Sequence, residues 1–403
     1  MSSPAARERA GLPAVDPESF SIGRGAPFLH LQEQLRLVER GSLSATRRAL
    51  FFAAVCWLPL LLLAALRGNL LEPAEGRAFL RDFTVPARFL VAVPILLLIE
   101  PVADVRLARL VREFATGGLV PAERVEDFRE AVVEAHHGRD SGLAEAAIAL
   151  LSLAGGFAWV RAALRTAGSS WIGDPGPAGD VVLSPAGWWA ALVSVPIGLF
   201  LLVRWLWRYA LWARLLRRLS RLDLRVVATH PDRCGGLAFI GQFPVAFTGF
   251  AFATTTIVAA ALARLLVWGG GRIEDVQSVL AAWSLLVVAL FVLPLAAFAR
   301  PLRVAKARAL LDFAALSLRH NRAFERRWID GGAPAEDLLG APDSSSLADL
   351  ATGYQAAKAM RTIPLVAEGL LPVAVAVAVP LACAVATQVP VRTMLKTLGS
   401  FVL

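Results

Sequence analysis

The chain has 403 residues, 57% of them hydrophobic, with a mean hydropathy of +0.59 and a formal charge of +9. That apolar content excludes a disordered chain, and three cysteines exclude a disulfide framework. The basic balance does not point to nucleic acid, because no zinc-finger spacing and no aromatic-interleaved RNA-binding stretch is present.

Residues 1–48 form a polar arm, read as cytoplasmic. The first apolar run opens only at Ala49, so it reads as an uncleaved anchor rather than a signal peptide. A transmembrane bundle over 49–403 follows, with apolar runs at 49–66, 83–103, 143–160, 186–203, 243–263, 279–299 and 363–386. A bilayer core of about 30 Å needs roughly 20 such residues in helix. Only helices satisfy their own backbone groups in lipid over runs of this kind. The expected fold is therefore all-α, a polytopic membrane protein of about seven spans with helical extensions on one side.

The extensions lie in loops 104–142, 204–242 and 300–362. The first reads as helix, break and helix, with the break at Gly117, Gly118 and Pro121. The second prolongs the fourth span as a basic helix. Its leucines at 211, 215, 219 and 222 make a helical stripe, suited to packing on other helices or to lying on the membrane. The third carries a long helix over about 302–328. A second helix there is expected to open at Ser346, with Asp349 three residues on as a capping-box start. Trp188, Trp189, Trp205, Trp207 and Trp212 flank the fourth span and read as an interfacial belt.

Of the 41 basic residues, 31 fall in the N-terminal arm and the even-numbered loops. The positive-inside rule then puts the N-terminus and long loops in the cytoplasm and the C-terminus outside. Their arginines sit beside span ends, where they meet anionic lipid headgroups.

Ionisable groups at membrane depth are costly and mark candidate sites. Glu100, Glu145 and Glu368 qualify, with Arg300 as a counter-ion, all near the cytoplasmic ends of spans. They read either as a structural clamp closing the inner mouth or as a proton or solute site in an inward vestibule. In either case Arg233 or Arg300 is expected to pair with one of the carboxylates.

The most distinctive segment is Thr229-His-Pro-Asp-Arg-Cys-Gly-Gly-Leu237, just before the fifth span. Its candidate site residues are His230, Asp232, Arg233, Gly235 and Gly236. In the structural reading Asp232 caps, the glycines turn and Arg233 pairs with an intramembrane Glu. In the second, backbone amides and Arg233 bind an anion or phosphate. In the third, His230 and Cys234 hold a metal with Asp232, His136 or His137, although the spacing matches no established motif. Neither a metal nor another cofactor is expected.

Two spans also share a pattern. Val93-Pro94 is followed by Glu100-Pro101, and Leu293-Pro294 by Arg300-Pro301. Spans 1–3 and 5–7 would then be parallel repeats, as occur in transporters.

The loop 229–237, Arg319-His-Asn-Arg-Ala-Phe324 with Trp328, and Asp343-Ser-Ser-Ser-Leu-Ala-Asp-Leu350 resemble a family of uncharacterised bacterial multi-pass inner-membrane proteins over roughly residues 85–403. The resemblance implies architecture and location, and no activity. In that family the position of Cys234 is commonly a small residue such as Ala, which speaks against thiol chemistry there.

The functional expectation is a non-enzymatic membrane protein with an interaction or regulatory role through its cytoplasmic helices. Its expected partners are anionic lipid headgroups and either another protein or a second copy of the chain. The alternative is a transporter or channel for a small solute or ion using the carboxylate cluster. A polar cavity reaching mid-membrane past Glu100 and Glu368 separates the two.

Overall fold

A computed structural model describes residues 20, 21, 28, 45–71, 78–167, 171–175, 181–330 and 342–388. Among these, seven helices are long and apolar enough to cross a membrane, one on each expected run. They are α1 (Ala45–Leu66), α2 (Thr84–Thr116), α4 (Gly142–Ala167), α5 (Pro185–Leu219), α6 (Ala238–Trp268), α7 (Ile273–Ala296) and α10 (Ala367–Val385). Three more helices belong to the loops: α3 (Val125–Arg139), α8 (Ala299–Trp328) and α9 (Pro342–Ala359). A two-stranded hairpin, β1 (Gly173–Pro175) and β2 (Val181–Leu183), lies between α4 and α5.

Alternate loops meet on opposite sides, as seven crossings require. On one side Arg225 N donates to Leu119 O (2.8 Å), Arg361 N to Arg233 O (2.6 Å) and Lys306 Nζ to Met360 O (2.7 Å). These bonds join the second, fourth and sixth loops, so this is the basic side. On the other, Trp171 Nε1 donates to Asp82 (3.3 Å), Arg264 reaches Asp82 at 3.7 Å and Gln388 bonds Leu266 O at 2.6 Å.

Proline shapes the spans. A proline ring clashes with the carbonyl four residues back and donates no bond. In α2 a π-helical stretch, Ala87–Ala92, precedes Pro94, and in α5 another, Ala190–Ser194, precedes Pro196. Further on, α2 breaks at Ile99, just before Pro101, and the chain breaks at 297–298 before Pro301. Close packing follows from small residues. A Cβ on Gly156 of α4 would stand 2.5 Å from Ala191 O and 2.8 Å from Pro196 Cγ, so only glycine admits α5 there.

Sequence expectations differ from the structure at three places. Trp205 and Trp212 are not in an interfacial belt: they are 2% and 1% exposed, packed against Phe247 and Phe250 and against Phe20 and Phe243. Indole is large and apolar enough to serve as core when a neighbouring carbonyl takes its N–H, as Leu96 O does for Trp205 at 2.9 Å. Helix α9 begins at Pro342, so Ser346 lies inside it and caps nothing. The repeat is not reproduced in packing: α1 packs chiefly on α2, whereas α6 packs chiefly on α10. The leucine stripe 211–222 is buried, with α3 packed along α5.

Candidate functional site

The strongest concentration of buried charge lies at the basic-side mouth of α1, α2, α4 and α5. The break at Ile99 starts a new helical segment at Glu100. Its carboxylate is 3% exposed and meets three guanidinium groups. Arg48 Nη1 of α1 lies 2.6 Å from Oε2, Arg204 Nη1 of α5 lies 3.4 Å from Oε1, and Arg208 donates to the same oxygen. Arg204 and Arg208 are four residues apart on α5, so both face α2.

A second layer continues the network. Arg204 Nε is 3.6 Å from Glu145 Oε1 of α4, and Phe28 N donates to Oε2 at 2.9 Å. The Arg204 guanidinium stacks on the Phe28 ring at 4.9 Å. Asp104, one turn beyond Glu100 and buried, accepts from Ser21 Oγ at 2.7 Å. Arg139 Nη1 bonds Ser21 O at 2.6 Å, and Phe20 stacks on His136 at 5.2 Å. Three arginines thus balance Glu100, Glu145 and Asp104, and pieces of the N-terminal arm lie over the mouth. Burial, and secondarily the Arg139 charge, hold His136 below the usual imidazole range. Chemically, the arrangement cross-links four helices. Both oxygens of Glu100 are already engaged by guanidinium, so it offers a solute no vacant coordination.

The structure brings together only two of the four expected cluster residues, Glu100 and Glu145. Glu368 is exposed in the first turn of α10, and Arg300 is exposed on α8. Among the described residues no ion pair reaches either, and Arg233 pairs with none of the three glutamates. The expected partners are therefore corrected to Arg48, Arg204 and Arg208, because α1 and α5, not α6 or α8, line the mouth beside α2.

The loop 229–237 is built around Asp232. Its Oδ1 accepts from Cys234 N (2.8 Å) and Gly236 N (3.1 Å), and its Oδ2 from Ala238 N (3.0 Å). Burial alone would raise this carboxyl, but the three amides and the His230 imidazole hold it below the ordinary aspartate range. His230 Nδ1 lies 2.9 Å from Oδ1, and Asp232 N approaches the same nitrogen at 3.3 Å. One nitrogen cannot serve both contacts at once; the shorter has Nδ1 donating. Gly235 has φ +67°, and a Cβ there would stand 2.1 Å from Val226 Cγ1. Arg233 has φ +56° and is fixed through Arg361 N.

The amides needed by an anion site are thus taken by Asp232. Burial and the Asp232 charge push the Cys234 thiol up, away from the thiolate that a metal requires. Among the described residues no group of three or more His, Cys, Asp or Glu side chains is placed to hold a metal. Thr254 and Thr256 bond back to Phe250 O and Phe252 O, while buried Thr255 accepts from Trp283 Nε1 at 3.0 Å.

Sequence reasoning missed Arg48, Arg204, Arg208 and Asp104, and on the opposite side Asp82. Buried Asp82 accepts from Thr84 N (3.0 Å), Thr84 Oγ1 (2.6 Å) and Trp171 Nε1. The available signal was the spacing of Arg204 and Arg208 around Trp205. No protein-family profile, curated protein or solved structure matches the chain.

Proposed function

We propose that this is a bacterial inner-membrane protein of the family its loop 229–237 resembles, with its basic side and N-terminus in the cytoplasm and its C-terminus outside. It acts without catalysis, as an interaction or regulatory protein working through its cytoplasmic helices. The location of 31 of 41 basic residues on that side supports the orientation. A reporter fused after Leu403 is expected to behave as periplasmic, and one placed within 331–345 as cytoplasmic; the reverse pattern would sink the orientation.

The observation that carries the functional reading is the contrast between a closed mouth and an open arm. Helix α8 runs 30 residues, about 45 Å at 1.5 Å per residue, and Leu302 is its one fully buried residue. Helix α9 folds back on it, yet Val304, Leu311, Leu316 and Leu318 remain exposed. Exposed apolar side chains on a projecting helical pair favour a docking arm for another protein or a second copy.

Transport is less well supported. A cavity of about 360 Å³ between α2, α4 and α5 has Arg88 as its one charged lining residue and includes neither Glu100 nor Glu145. The test is a photo-crosslinking amino acid at Leu311 or Leu318 in native membranes, with Leu285 on lipid-facing α7 as control. Discrete protein adducts from the arm alone are expected. Adducts from neither arm position, together with solute flux abolished by Glu100→Gln, would favour the transporter.

A further inference from the structure

The widest cleft in the described structure, about 1440 Å³, opens where α5 and α8 diverge on the basic side. At its membrane end the Tyr209 hydroxyl donates to Leu290 O, and beyond that contact the two helices separate. From α8 the wall is residues 301, 304, 305, 308, 309 and 312, a spacing of three and one that lies along one helical face. That face looks across the cleft to the last turns of α5 with no protein between.

The lining changes character along its length. The end set in span α7 carries Leu293, Pro294 and Ala297, and Leu293 is 74% exposed, so this end is open sideways to lipid. The far end carries Arg217, Arg221, Arg300 and Arg308. Two acids also line it, but both are engaged: Asp223 with Arg124 at 2.9 Å and Asp312 with Arg308 at 3.8 Å. Among the described residues Arg217, Arg221 and Arg300 have no ion-pair partner, and all three are exposed.

We propose that this cleft is a binding site for an anionic phospholipid, with the phosphate on Arg217, Arg221 and Arg300 and an acyl chain along the apolar end. Basic pockets between membrane helices at headgroup depth are suited to such lipids. A free phosphate would use the arginines and leave the apolar end empty, so the two-part lining selects a lipid. The site goes beyond general headgroup contact, because it seats one molecule at the root of the α8–α9 arm. It stands independently of what that arm docks to.

The test uses full-length protein, purified in mild detergent and reconstituted in vesicles of equal phosphatidylglycerol and phosphatidylcholine. Lipid retained after re-extraction is counted by native mass spectrometry. Phosphatidylglycerol is expected to be retained preferentially, and millimolar inorganic phosphate is expected not to displace it. The triple variant Arg217→Gln, Arg221→Gln, Arg300→Gln is expected to weaken retention by about fivefold per charge, on the order of 100-fold in all. The triple Arg319→Gln, Arg322→Gln, Arg326→Gln removes the same charge farther along α8 and is expected to retain lipid like the parent. Ala213→Trp fills the cleft without changing charge and is expected to lose the lipid too. Equal loss from both triples, parental retention in Ala213→Trp, or displacement by phosphate alone would each overturn the proposal.

Discussion

Glu100→Gln is the most informative single change. The substitution keeps shape and removes one charge, leaving Arg48, Arg204 and Arg208 crowded with no carboxylate between them. At an effective dielectric of about 20, the Glu100 attraction to Arg48 at 2.6 Å is about 6 kcal/mol and that to Arg204 at 3.4 Å about 5 kcal/mol. Desolvation offsets most of this gross attraction, and breaking a buried pair costs about 3–5 kcal/mol in practice. With three cations stranded, the upper half of that range is expected, on the order of a 1,000-fold shift toward unfolding. The assay is equilibrium unfolding in mixed micelles of rising dodecyl sulfate fraction, followed by tryptophan fluorescence. The charge-balanced double variant Glu100→Gln, Arg208→Gln should recover much of the loss, because one stranded cation leaves with the carboxylate. If the single variant falls within about 0.5 kcal/mol of the parent, or the double variant is no better than the single, the clamp account fails.

Asp232→Ala strips three backbone amides of their acceptor and should cost roughly 3–5 kcal/mol in the same assay, whereas Asp232→Asn, which keeps one oxygen, should cost less; equal effects would mean that the carboxylate does not organise the loop. Gly156→Val drives side-chain atoms into Ala191 O and Pro196, and should lose roughly 2–4 kcal/mol as α4 and α5 are pushed apart; parental stability would show that the contact yields easily. His136 titrates lower in the folded protein than its unfolded value of about 6.5. Its contribution is therefore full above about pH 6.5 and declines as pH falls below that value, since the unfolded chain takes up the proton first. Thermal midpoints at pH 8 and pH 5 should differ less in His136→Gln than in the parent, and an unchanged difference would assign the acid sensitivity elsewhere.

The seven spans were legible because membrane-length apolar runs admit one secondary structure, and lipid-facing surface keeps the signal continuous. The order Asp232, Gly235, Gly236 was legible as a turn because capping and positive φ are local properties of a few residues. Partner choice for Glu100 was not legible. It depends on which helix faces lie across the mouth, and the same positive charge on Arg48, Arg204 and Arg208 also reads as a topology signal. Likewise Trp205 and Trp212 follow an apolar run as belt residues do. Their burial becomes evident only when α2, α3 and α6 are packed around α5.

The two π-helical stretches before Pro94 and Pro196 have a consequence for how this chain tolerates change. Each accommodates more residues per turn than a regular helix, so each offsets the angular position of everything that follows. Glu100 and Asp104 lie downstream of the first offset, and Arg204 and Arg208 downstream of the second. One residue is about 100° of rotation. Loss of any single apolar codon within 87–92 or 190–194 would leave composition and span length almost untouched, yet swing one half of the charge network toward lipid. These two short windows should therefore accept apolar-for-apolar exchange freely and reject deletions of a single residue.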